Sequence, residues 1–195
     1  MTAVPGPDGA PVEVPEPIAA AARREPGRPV PMVDPYWTGP EPVPDWAVVG
    51  RWRTDSAGAV LAFDGNDGYR PSPWVLGWPE PTDEIDRAAY RLATGYGDEQ
   101  ALAARLAGSV VAVLVDAGGA PVRVATPDGA PAVPVFSDDA QLAALDRFAT
   151  VSLAVADLLP LVPPGHRIYL NPAGAVATLV DVERVRSATG AGGDG

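Results

Sequence analysis

The chain has 195 residues, no cysteine and no lysine, and a net charge of -11 with a pI near 4.4. Without cysteine there is no disulfide or thiolate chemistry, and without lysine there is no Schiff-base amine and no phosphate-loop lysine. So acidic a chain repels phosphate backbones and anionic bilayers, which argues against nucleic acid and membrane surfaces as partners.

Glycine and proline together make up about 23 % of the chain, and 12 of the 24 prolines fall in residues 1–45. This predicts a poorly ordered start before a folded body. Residues 1–13 read as a flexible tail, and Met1 to Pro17 carries neither the basic region nor the apolar run of a secretory signal. Glu16–Arg24 is a short helix candidate stopped by Pro26-Gly27. Residues 29–45 are too proline-rich for regular structure. Trp46–Arg53 reads as a strand with Trp46, Val48, Gly50 and Trp52 on the inner face and Arg51 and Arg53 on the outer one. A turn at 55–58 returns the chain as a partner strand over Ala59–Phe63. Residues 69–81 form a proline-rich extended loop.

Apolar residues recur at helical spacing in Asp83–Ala93 and again in Asp98–Ala107, the latter closed by Gly108. Strands are predicted at Val110–Val115, Pro121–Ala125, Ala132–Phe136, Val151–Val155, Arg167–Leu170 and Val176–Val180. Asp138 or Asp139 caps a helix running to Arg147, with Leu142 and Leu145 inward. Asp157–Val162 makes a helical turn, and 187–195 a glycine-rich tail. The longest continuous apolar run, Val110–Val115, suits a buried strand and is far short of a membrane helix. Hairpins with interspersed helices give an α+β (mixed α/β) fold: a mixed or antiparallel sheet with flanking helices over 98–186, after a small Trp/Pro-rich hairpin subdomain over 14–97.

Catalytic constellations are sparse. His166 is the only histidine and follows Pro-Pro-Gly, so a loop-edge role is expected of it. Ser72 or Ser137 could join it in a Ser-His-Asp set, yet neither sits in a Gly-x-Ser-x-Gly elbow. Asp83-Glu84 and Asp138-Asp139 stand at helix starts, where carboxylates cap free N–H groups. Asp64-Gly-Asn-Asp-Gly68 lacks the spacing and terminal glutamate of an EF-hand loop and reads as a turn. No catalytic residue, cofactor or metal site is assigned, and the chain is expected not to be an enzyme. The five tryptophans all fall in a 42-residue span, 37–78. They read either as a mini-core holding a proline-rich segment or as a partner surface. Trp37, Trp74 and Trp78 on loops, with Arg51 and Arg53 on the outer strand face, are the candidate partner-binding residues.

Arginine in place of lysine, with abundant alanine, is the usage of a GC-rich bacterial genome. Met32-Val-Asp-Pro-Tyr-Trp37, Pro44-Asp-Trp-Ala-Val-Val-Gly-Arg-Trp-Arg53, Tyr69-Arg-Pro-Ser-Pro73, Leu76-Gly-Trp-Pro-Glu-Pro81 and Ala93-Thr-Gly-Tyr-Gly97 resemble the actinobacterial type VII secretion system-associated proteins. Thr126-Pro-Asp-Gly129, Val133-Pro-Val-Phe-Ser137 and Pro164-Gly-His-Arg-Ile-Tyr-Leu-Asn-Pro172 resemble the SseB N-terminal-like domain, named from an enhanced-serine-sensitivity protein. The resemblance implies an α/β or α+β domain without cofactor, linked to a secretion apparatus. The expected function is a cytoplasmic adaptor binding a protein partner, such as a secretion-system component or substrate; the oligomeric state stays open. The alternatives are a small-metabolite sensor and a hydrolase using His166.

Overall fold

The computed structural model describes residues 2–143, 145 and 148–191. Two compact units divide at Leu76 and Gly77.

The first unit begins with a hairpin, β1 (Ala3–Pro5) against β2 (Pro11–Glu13). The expected flexible tail over 1–13 is corrected here. Gly6 N–H donates to Ala10 O at 2.8 Å, Gly9 takes φ 74°, and Val4 is buried. One apolar anchor and a closed turn are enough to order a segment that looks unanchored by composition. Helix α1 spans Glu16–Arg24 with Pro17 in its first turn. A three-stranded antiparallel sheet follows, in the order β3 (Val30–Val33), β4 (Val48–Thr54), β5 (Val60–Gly65). β3 corrects the expectation that 29–45 holds no regular structure: Pro31 is tolerated because β3 is an edge strand. Val48, Gly50 and Trp52 are buried and Arg51 and Arg53 exposed, as the alternation predicts. Trp46 lies outside the strand, in a 3-10 turn over Asp45–Ala47.

The second unit starts earlier than expected. α2 (Glu84–Thr94) and α3 (Glu99–Ala107) precede β6 (Val110–Leu114), β7 (Val124–Ala125) and β8 (Pro131–Phe136). The boundary predicted between 97 and 98 gives way to one at 76/77 because Ile85 and Ala89 of α2 enter this unit's core. The chain continues through α4 (Asp139–Leu142), β9 (Thr150–Ala154), α5 (Val155–Leu158), β10 (Arg167–Leu170), β11 (Thr178–Val180) and α6 (Val182–Ala191). α4 is one turn long; of the helix expected to reach Arg147, residues 144, 146 and 147 lie outside the described residues, and Leu142 and Leu145 are only half-buried. α6 replaces the first part of the tail expected over 187–195; residues 192–195 lie outside the described ones. Asp181 accepts from the N–H groups of Glu183 and Arg184 at the start of α6, and Val185 buries its inner face.

The sheet runs β11-β10-β8-β6-β9, with β7 also on β8. β8 and β10 are parallel and the other pairings antiparallel, so the unit is α+β with a mixed sheet. Val111, Val113, Val133, Val135, Ile168 and Leu170 meet Ala89, Leu102, Leu106, Leu158 and Val185 in one core. At roughly 1.5–3 kcal/mol per buried aliphatic side chain, this layer is the main favourable term of the unit.

Candidate functional site

In the first unit, buried Asp34 organises the aromatic segment. Its Oδ1 accepts from Tyr36 N–H at 2.8 Å, its Oδ2 accepts from the Tyr69 hydroxyl, and its own N–H donates to Ala47 O at 2.9 Å. Burial, with the Asp34 carboxylate beside it, pushes the Tyr69 phenol up to about 12. Trp37 stands edge-on to Trp46 at 5.2 Å, and the Arg70 guanidinium lies 5.6 Å over the Trp46 ring. Trp52 is buried against Phe63.

The candidate binding residues therefore separate. Trp37 is half-buried in the aromatic cluster. Arg51 and Arg53 sit on the exposed face of β4, pairing with Asp45 at 2.8 Å and Asp64 at 2.9 Å. Exposed pairs of this kind contribute little to stability and leave the face polar. Trp78 belongs to the second unit and packs edge-on against buried Tyr90 at 5.3 Å. Trp74 is the exposed one: it is 71 % accessible, and its neighbours Val75 and Leu76 are 51 % and 46 % accessible. This loop is tied down by the Leu76 N–H donating to Ser72 O at 2.9 Å, with Ser72 fully buried. Three consecutive apolar side chains are thus held in solvent on a fixed turn.

The second unit holds a polar cluster where the parallel strands end. Asn171 directly follows β10 and Ser137 directly follows β8. Asn171 Oδ1 accepts from Ser137 N–H at 2.9 Å, and its Nδ2 donates to Ser137 Oγ at 3.0 Å and Asp86 Oδ1 at 3.4 Å. Asp86 Oδ2 accepts from Thr82 N–H at 3.1 Å. Burial pushes the Asp86 carboxyl above its usual value; the Thr82 and Asn171 donors oppose the shift, and Asp83 and Asp138 add to it. The paired carboxylates at helix starts are caps: Asp83 accepts from Ile85 and Asp86 N–H, and Asp138 from Gln141 N–H.

His166 precedes β10 and Ser137 follows β8, so they stand at opposite ends of the parallel pair. In that register His166 stands level with Pro131, six residues before Ser137, so at about 3.3 Å per residue the two lie roughly 20 Å apart along the strands, too far for proton transfer. The His166 ring lies 3.3 Å from Pro164 O, and Ser72 is fully buried in the other unit. Among the described residues, no group of three His, Cys, Asp or Glu is placed to hold a metal ion, and no helix is long and apolar enough to cross a membrane.

Sequence reasoning missed Asp34 and the Asp86–Ser137–Asn171 cluster. Two signals existed: a lone aspartate two residues before the Tyr36-Trp37 pair, and polar residues directly after two apolar strands. No curated protein and no solved structure matches the chain. A family model described as the SseB protein N-terminal domain matches residues 85–187. That match covers more than half the chain and takes in the whole of the mixed sheet. The chain therefore belongs to the family of the SseB protein N-terminal domain.

Proposed function

We propose that this protein is a non-enzymatic adaptor associated with a type VII secretion system in an actinobacterial cytoplasm, where it binds a protein component or substrate of that system. The observation that carries the reading is the Trp74-Val75-Leu76 turn, apolar, consecutive and in solvent. Tryptophan is the most enriched residue at binding hot spots, and a turn already fixed in place loses little entropy on binding. The family membership and the capping roles of the acidic pairs support the same reading.

The test is capture of secretion components by the tagged chain and by Trp74→Ala, from cells with and without the type VII genes. A component recovered only from cells carrying those genes, and lost with Trp74→Ala at an unchanged melting temperature, fits the proposal. A hot-spot loss of 2 kcal/mol or more corresponds to roughly 30-fold weaker binding. Equal capture by both proteins would overturn the assignment to this turn.

A further inference from the structure

We propose that β9 is a self-association edge, pairing antiparallel with β9 of a second copy across a two-fold axis centred on Ser152. The edge is unguarded. β9 is the last strand of the sheet on its side, bonded to β6 alone among the described residues. The run 148–156 holds no charged residue, no proline and no glycine. Natural sheet edges are normally blunted by such residues or kept short. Other edges here follow that rule: β3 carries Pro31, β5 ends in Asp64-Gly65, and β11 is three residues long.

The register fits a copy of the same strand. Val115 N–H donates to Ala149 O, and Val155 N–H to Ser109 O. These bonds fix the alternation, so Val151 and Leu153 face β6 with their main-chain groups, while those of Thr150, Ser152 and Ala154 point outward. A two-fold at Ser152 sets Thr150 opposite Ala154 of the copy and Ser152 opposite itself, each pair exchanging both hydrogen bonds. The same register sets Val151 opposite Leu153 of the copy. Both lie on the core face, opposite Val113 and Val111, and Val151 is 37 % accessible. Pairing would therefore continue the apolar layer from one copy into the next and cover Val151. Phe148, 61 % accessible, leads into the same strand. Charge points to the same place. Two chains of net charge -11 repel, and an uncharged strand lets main chains meet without bringing carboxylates together.

The full chain, Ser152→Lys and Ser152→Asp are compared by sedimentation velocity over the micromolar to millimolar range. Circular dichroism confirms that each variant is folded. The expected result is a concentration-dependent dimer for the parent chain and monomers for each variant alone, because like charges meet at the axis. An equimolar mixture of the two variants should recover the dimer. A parent chain that stays monomeric throughout, or variants that dimerise as well as the parent, would overturn the proposal. A mixture that fails to recover the dimer would overturn the two-fold register at Ser152.

Discussion

Asn171 clamps the ends of the two parallel strands, and replacing it measures what the clamp contributes. The residue is fully buried, with φ 47°. Asn171→Ala removes the acceptor of the Ser137 N–H and the donor shared by Ser137 Oγ and Asp86. A buried N–H left without an acceptor costs about 1–3 kcal/mol, and a lost bond to a carboxylate about 1.5–3 kcal/mol, less here because the Asp86 contact is long at 3.4 Å. Alanine in the left-handed region adds about 1 kcal/mol that asparagine largely avoids. The sum is about 3–5 kcal/mol, read from urea unfolding followed by far-UV circular dichroism. Asn171→Gly loses the same side chain but accepts the backbone, so it should be milder by about 1 kcal/mol. Asn171→Asp keeps an acceptor for Ser137 N–H but sets a second carboxylate against Asp86, so its deficit should shrink as the pH is lowered. An Asn171→Ala cost below about 1 kcal/mol would refute the clamp. A glycine variant less stable than the alanine one would refute the strain argument.

Phe136 ends β8 fully buried, so Phe136→Ala should cost about 3–5 kcal/mol in the same assay. The Tyr69 phenol should titrate near 12 by ultraviolet absorbance; because the native chain holds this proton longer than the unfolded chain, stability should fall as pH rises between about 10 and 12. Asp86 follows the same sign at acid pH: with its native value raised, its contribution is full below the usual aspartate value and lost as pH rises through the raised one, and Asp86→Asn should remove that slope. Deleting residues 2–13 should lower the unfolding midpoint of the first unit by several degrees in tryptophan fluorescence, since Val4 is buried; an unchanged midpoint would return the segment to a loose tail.

The second unit was largely legible in the sequence. Its helices carry aspartate caps and apolar spacing that local physics decides, and its strands are short apolar runs between turns. The first unit was harder to read because its order depends on single long-range contacts. Composition could not show that Val4 finds a buried site, nor that Pro31 faces an open edge where its missing N–H does no harm. Trp46 illustrates the same limit. Its alternation with Val48, Gly50 and Trp52 is perfect in sequence, yet Pro44 and a 3-10 turn take it out of the strand. The domain boundary also turned on a tertiary fact, the docking of Ile85 and Ala89, which helical periodicity alone cannot assign to one unit or another.

Within the candidate sites, aromatic count was a weaker guide than solvent exposure. The five clustered tryptophans could read as a mini-core or as a surface; edge-to-face contacts absorb the candidates Trp37 and Trp78, while Trp52 enters the interior as its strand face predicts. Trp74 differs from them because its neighbours Val75 and Leu76 are exposed with it, so the turn offers apolar area that a partner can cover. β9 offers something different: outward main-chain groups along an uncharged strand. A side-chain hot spot selects a partner by shape, whereas a bare strand edge selects by register. Trp74→Ala should therefore leave the Ser152-centred dimer intact, and Ser152→Lys should leave capture through Trp74 intact. Loss of both activities in either single variant would mean that the turn and the edge act as one surface.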